Sequence, residues 1–212
     1  MYIPKPNQVH DDETIAEFIG AHGFATVITA PGGVPYASHL PVLHDKKEGV
    51  LWSHMARANE QWRHFADGKE VLCIFHGPHA YISPSWYEAK VAVPTWNYAV
   101  AHVYGVAEIV QDPATLRKIV EDVTEKYEKR FENPWELQLP EDTIHGLLKA
   151  IVGFSIRITR IEAKFKLGQN RSKEDQESML SALENDPEQD SKALGAFVKK
   201  MSVTGTDEPK AE

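Results

Sequence analysis

Residues 151–167 constrain the fold of this chain more than any other segment. Their apolar side chains fall first at Phe154, Ile156 and Ile158, then after Arg160 at Ile161, Ala163, Phe165 and Leu167. Alternation at period two marks a strand with one buried face. The move from even to odd positions is a one-residue slip of phase. A β-bulge produces such a slip, and barrels use bulges to turn corners.

The remaining elements agree with a small barrel. Residues 11–22 read as a helix with Ile15, Phe18 and Ile19 on one stripe and acids at its positive end. Residues 24–30 form a strand that stops at Pro31-Gly-Gly33, and 34–44 return from that turn as its hairpin partner. Strands follow at 50–54, 70–75, 79–83 and 99–110, with a short helix at 59–65. Asp112-Pro113 opens a helix, an acid at the cap and proline at the first helical position. Its buried stripe is Leu116, Ile119, Val120, Val123 and Tyr127. Further helices are expected at 140–150, 173–183 and 193–201. The fold class that results is α+β, about six strands in a barrel with appended helices. Residues 1–183 are expected to make one domain. Residues 184–212 then form a polar linker, a weak helix and a disordered tail.

The totals narrow the function. The chain has 212 residues, enough for a sizeable core. No apolar run approaches the roughly 20 residues that span a bilayer. The opening Met1-Tyr-Ile-Pro-Lys-Pro6 lacks the apolar region of a signal peptide, so export is not expected. The single cysteine, Cys73, fits a reducing cytoplasm. A net charge of -8 argues against direct duplex binding, which depends on surplus Lys and Arg, and no helix-turn-helix pattern is evident.

Three clusters could carry chemistry. His76-Gly-Pro-His-Ala-Tyr-Ile-Ser-Pro-Ser-Trp-Tyr87 and Val93-Pro-Thr-Trp-Asn-Tyr98 gather prolines, rings and aimed polar groups. They suit a pocket for a planar, partly polar ligand, or equally a packed barrel corner with each polar tip satisfied locally. Ser53-His-Met-Ala-Arg-Ala-Asn59 leaves a strand for a short helix. There Arg57 can fork a phosphate beside Ser53 and His54, or serve as a solvated Arg next to an N-cap Asn59. Lys164-Phe-Lys-Leu-Gly-Gln-Asn-Arg-Ser172 sets cations and amides around Gly168, able to meet a phosphate and a heterocycle edge, or simply to end a strand. Cys73, His76 and His79 have metal-like spacing but no further ligand pair, so no metal site is assigned. A haem ligand among the histidines stays open, since haem needs only one proximal His. No nucleophile–base set and no carboxylate pair is evident, and catalytic residues stay unassigned.

In these motifs the chain resembles the PaiB-like FMN-binding negative transcriptional regulators of the flavin-binding split-barrel superfamily. The likeness runs from Met1 to about Leu183. It rests on Ser53-His-Met-Ala-Arg-Ala-Asn-Glu-Gln-Trp62, the two aromatic motifs together with His102, and Lys164-Phe-Lys-Leu-Gly-Gln-Asn-Arg171. It implies a split-barrel homodimer with FMN at the subunit interface. Arg57 with Ser53, His54 and Asn59 would then face the phosphate, and Trp96 and Asn97 the isoalloxazine. Gln169, Asn170 and Arg171 would reach the flavin from the same or the partner subunit. Tyr81 and Ser83 of the first aromatic motif join this cofactor set. The chain departs from the family pattern where Phe165 replaces a Trp, Gly168 a Ser, and Lys173-Glu-Asp-Gln-Glu-Ser178 a glycine-rich run. Asn7-Gln8 stand where an aromatic is usual. The implied role is negative regulation of transcription, indirect or as a flavin or redox sensor. A flavin-dependent oxidoreductase using NAD(P)H is the alternative, and haem binding or degradation a third reading.

Overall fold

In the computed structural model, which describes residues 1–203 and 205, the elements follow in the order β1 (Gln8–Val9), α1 (Asp12–Ala21), β2 (Phe24–Thr29), β3 (Tyr36–Asp45), β4 (Val50–Ala56), β5 (Glu70–Ile82), β6 (Thr95–Ile109), α2 (Pro113–Glu128), α3 (Glu141–Lys149), β7 (Ile151–Lys166), α4 (Lys173–Asn185) and α5 (Gln189–Lys200). Hydrogen bonding runs β1-β7-β4-β3-β2-β5-β6, and β6 also pairs with β7. The run from β7 round to β6 therefore closes on itself, with β1 outside the ring.

The chain divides into two compact units. A barrel unit holds Ala16–Phe75 and His102–Ile161, and a terminal unit holds Met1–Ile15, His76–Ala101 and the chain from Glu162 onward. Strands β5, β6 and β7 each contribute residues to both units.

In the barrel unit β2 pairs antiparallel with β3 and β5, and β4 with β3 and β7. Inward residues such as Val27, Leu51, Cys73, Phe75, Val103, Phe154 and Ile156 are buried. Asp112 caps α2, accepting from the Thr115 amide and hydroxyl. Helix α2 buries Leu116, Ile119 and Val123. Gly153 lets it come close, since a Cβ there would stand 2.7 Å from Leu116 Cδ1. Gly105 does the same between strands, its missing Cβ lying 2.4 Å from the Arg157 carbonyl oxygen.

In the terminal unit β1 pairs with the far end of β7, Gln8 opposite Lys164. Helices α4 and α5 bury Met179, Leu183, Leu194 and Val198. Phe165 and Phe197 meet edge to face at 5.2 Å. Most of the C-terminal tail expected to be disordered lies outside the described residues.

The apolar parity of β7 changes between Ile156 and Ala163, whereas Ile158 and Ile161, expected to face inward, are only half-buried. Val152, Phe154 and Ile156 are buried on one side of Arg160, and Ala163, Phe165 and Leu167 on the other. Strand β7 passes from the barrel unit to the terminal unit between Ile161 and Glu162. Three details differ from the sequence reading. Residues 70–82 make one strand that runs through Gly77 and Pro78, where the sequence reading placed a break. Strand β6 begins at Thr95, so Trp96 and Asn97 are strand residues. Helix α5 starts at Gln189, inside the polar stretch read as linker.

Candidate functional site

The cofactor residues read from sequence fall into two groups. Ser53, His54, Arg57 and Asn59 belong to the barrel unit. Tyr81, Ser83, Trp96, Asn97, Gln169, Asn170 and Arg171 belong to the terminal unit.

In the barrel group most polar atoms already have work. The Ser53 hydroxyl is buried and donates to the Pro41 carbonyl at 2.7 Å. Arg57 follows the last residue of β4. Its Nε donates to the Lys149 carbonyl at 2.7 Å and its Nη2 to the Ile151 carbonyl at 2.8 Å. Lys149 is the last residue of α3, where a cation also meets the negative end of the helix dipole, and Ile151 is the first of β7. The guanidinium is exposed and keeps further N–H donors. Asn59 caps the 3₁₀ helix Glu60–Asp67, accepting from the Gln61 amide and donating to Ser38 Oγ. His54 is the exception. Its Nδ1 is buried without a hydrogen-bond partner, and burial lowers its pKa. At neutral pH the ring is therefore a neutral imidazole.

Gln61 was quoted within this motif but given no role, and it proves the most enclosed residue there. Fully buried, its Nε2 donates to the Val27 carbonyl at 2.9 Å and the Tyr36 carbonyl at 3.1 Å. It ties the 3₁₀ helix to β2 and to the head of β3. A polar residue between a cap and Trp62 gave no sign that it turned inward.

The terminal group is richer in open aromatic surface. Trp96 is 54% exposed and Tyr81 47%. Their rings lie 6.1 Å apart edge to face, and His79 lies 6.2 Å from Trp96 on another side. A recess of about 330 Å3 is lined by His76, His79, Trp96, Tyr98 and Val100 among others. Strand alternation places Trp96 and Tyr98 on this face and turns Asn97 to the other. Asn97 is 1% exposed, its Nδ2 donating to Met179 Sδ at 3.4 Å, while its Oδ1 has no partner. The two neighbours read as flanking one ring thus occupy opposite faces of β6.

Behind Tyr98 sits Lys164, a buried ammonium. Its Nζ lies 5.1 Å from the Tyr98 ring centroid and 5.6 Å from that of Tyr2, and it donates to the Tyr2 carbonyl. Two aromatic faces stand in for a carboxylate here. This role was not readable from the basic run alone, because Lys164 and Lys166 share one face of β7 and only Lys164 is enclosed by the rings of Tyr2 and Tyr98.

The turn after β7 is internally braced. Gln169 accepts from the Leu167 amide and donates to the Phe165 carbonyl, so its amide closes its own turn. Gly168 has φ +81 and is buried. The Arg171 guanidinium stacks 4.4 Å from the Tyr87 ring, and Asn170 is half-buried beside it in sequence. Ser83 caps the short turn Pro84–Trp86 through the Ser85 amide. Two buried residues of α4 were also missed. Asp175 accepts from the amides of Glu88 and Ala89, at 2.9 and 3.0 Å, tying down the loop after that turn. Gln176 donates to the Leu167 carbonyl at 3.0 Å and leaves its Oε1 unpartnered. The Ser172 cap fixes the helix phase, which is the signal that could have placed both inward.

Cys73 offers no chemistry. It is fully buried, and burial pushes its thiol up to about 12.

Comparison with known proteins bears on this geometry. Residues 1–160 match the family described as "Putative FMN-binding domain". The chain is 39% identical over 206 residues to the protease synthase and sporulation protein PAI 2 of Bacillus subtilis, covering 94% of this chain and 97% of that one. It is 32% identical over 188 residues to an uncharacterised protein of Emericella nidulans, covering 70% and 75%. Among solved structures it is similar to the flavocytochrome Anf3 from Azotobacter vinelandii, with TM-score 0.56 and 15% identity over 74% of this chain and 68% of that one. It is equally similar to an FAD and haem binding protein from Mycobacterium smegmatis, with TM-score 0.56 and 14% identity over 76% and 73%. The fold is an α+β split β-barrel with appended helices.

Proposed function

We propose, since this chain belongs to the FMN-binding domain family, that it binds FMN and acts through it as a negative regulator of transcription. The observation that carries the reading is the open ring cluster of Trp96, Tyr81 and His79 beside the Tyr98 recess. Flat rings of this kind are costly to leave in water and suit one face of an isoalloxazine. The buried Lys164 ammonium behind Tyr98 gives this wall a positive field, which favours an electron-rich or anionic flavin. Arg57 and His54 are the candidate phosphate donors, with Ser53 and Asn59 holding the strand end and helix cap around them. Gln169, Asn170 and Arg171 are candidates for the polar edge. FMN, when bound, supplies hydride and one-electron chemistry, while the protein binds and orients it.

The regulatory half rests on the Bacillus subtilis relative, whose name ties it to protease synthase and sporulation. With a net charge of -8 the chain is a poor duplex ligand, so we place its effect on transcription downstream of flavin state. No described helix is long and apolar enough to cross a membrane. We take the working form to be a cytoplasmic homodimer with the ligand at the subunit interface.

A flavin-dependent oxidoreductase is the second reading, favoured by the exposure of Trp96, which leaves room for a reactant. Haem is the third, favoured by His76 and His79 on the recess and by the haem named for a solved protein of this fold. One titration separates them. Added FMN should give a shifted, structured flavin spectrum, and Trp96→Ala should weaken binding tenfold or more. Unperturbed flavin bands with a strong Soret shift on adding haem would replace the first reading by the third. NADPH oxidation by the loaded protein would promote the second.

A further inference from the structure

A second recess, of about 570 Å3, lies in the barrel unit between one face of α2 and the β3–β4 hairpin. None of the cofactor candidates lines it. Its apolar surface comes from Leu43, Trp52 and Ile119. Its rim carries four lysines against three carboxylates, an excess of one positive charge.

The helical spacing decides which lysine carries that excess. Lys118 takes both oxygens of Asp122 at 2.8 Å, and Lys129 takes Glu125 at 2.7 Å, each an i,i+4 pair. Asp45 accepts from the Glu48 amide in its own turn. Lys126 has Asp122 at i−4, but Lys118 takes both its oxygens, and the adjacent Glu125 does not face Lys126 on the helix. Among the described residues it has no carboxylate partner, yet it is half-buried. Its Nζ lies 2.5 Å from where a Cβ on Gly23 would stand. Tyr127 Oη lies 3.1 Å from that same point and is buried without a hydrogen-bond partner. The Val42 carbonyl oxygen lies 2.9 Å from the same point, and the ammonium stands 5.5 Å from the Tyr127 ring centroid, so what surrounds it is a ring and neutral oxygens without a counter-charge. Burial alone lowers the Lys126 pKa, as expected of a cation without a counter-charge.

A half-buried cation is stabilised by an anion of matching charge, and the recess is the size of a small-molecule site. We propose that it binds a singly charged organic acid, an aromatic monocarboxylate, with Lys126 on the carboxylate and Trp52, Leu43 and Ile119 against the ring. The single excess charge and the nearby Asp45, Asp122 and Glu125 disfavour a dianion. In a flavin-linked regulator such a site would let a small acid act as an effector, but its binding does not depend on FMN.

The test is calorimetric titration of the full chain with benzoate, benzyl alcohol and phenyl phosphate. Benzoate should bind, at least tenfold more tightly than either of the others. Lys126→Met should weaken benzoate at least tenfold. Equal benzoate affinity in Lys126→Met, or equal affinity for benzyl alcohol, overturns the proposal, and tighter phenyl phosphate overturns the single-charge assignment. If Lys126→Met does not fold, amide shifts of the unaltered protein decide. Benzoate should move residues 43–46 and 118–129, and shifts confined to 96–100 would refute the site.

Discussion

Gly168 shows how one residue can couple turn geometry to a buried amide. Its φ of +81 lies in the left-handed region, and a Cβ there would stand 3.2 Å from Gln176 Oε1, an acceptor with no partner. Gly168→Ala should cost about 1–2 kcal/mol for the backbone strain. Gly168→Ser carries the same strain but can offer its hydroxyl to Gln176, recovering about 1 kcal/mol. Urea denaturation should rank the native chain first, the Ser variant second and the Ala variant last. An Ala variant as stable as the Ser variant would show that Gln176 Oε1 gains nothing from a donor. His54 gives a second residue-scale expectation. Desolvation lowers its pKa in the folded chain and leads the causes that lower that of His44, while the unfolded chain protonates near the ordinary value of about 6.5. The unfolded state therefore gains protons first as pH falls. Stability should be level above that value and drop below it until the folded histidines also protonate. The urea midpoint should be lower at pH 5.5 than at pH 7.5, and His54→Gln should reduce that difference.

At the scale of elements, the motif from Ser53 to Trp62 is first a set of ties. Gln61 holds the 3₁₀ helix to two strands, and Arg57 closes the end of α3. Gln61→Leu keeps the bulk but strips the Val27 and Tyr36 carbonyls of their donor, and should cost about 2–4 kcal/mol. Arg57→Ala separates two roles. A purely structural Arg57 predicts a loss of about 1 kcal/mol in stability with FMN affinity unchanged. The phosphate role predicts the same stability loss and an affinity at least tenfold weaker, which is the outcome we expect. The sequence made the frame of these elements readable because periodicity and caps are local signals. The β7 phase slip and the Asp112-Pro113 start are set within a few residues. Strand β1 was unreadable, since two residues carry no period and their pairing with Ala163 and Lys164 is made across the chain. The joining of 70–82 into one strand hid behind Gly77-Pro78, which local rules read as a stop. For the candidate residues, side-chain direction was not readable. Trp96 and Asn97 were carried over together from one motif, whereas the extended backbone turns them to opposite faces, and Lys164 was one cation among several until the Tyr2 and Tyr98 rings enclosed it.

For the molecule as a whole, the open aromatic surface argues for a second copy. Trp96 and Tyr81 are about half exposed in the isolated chain, and Val91 and Val93, just before β6, are exposed as well. Single exposed rings are ordinary, but a cluster of them beside a recess marks a surface that something covers. If the flavin and the partner subunit share the covering, neither forms a full site without the other. Dimerisation and FMN binding must then be linked, each strengthening the other by the same factor. Sedimentation equilibrium should give about twice the 23.8 kDa chain mass, with FMN tightening the association. Trp96→Asp, which puts a charge into that face, should yield a folded monomer that has also lost FMN. Dilution should release flavin in step with the appearance of monomer. A monomer that keeps its FMN at full affinity would show that one chain completes the site, and the exposed rings would then need another partner.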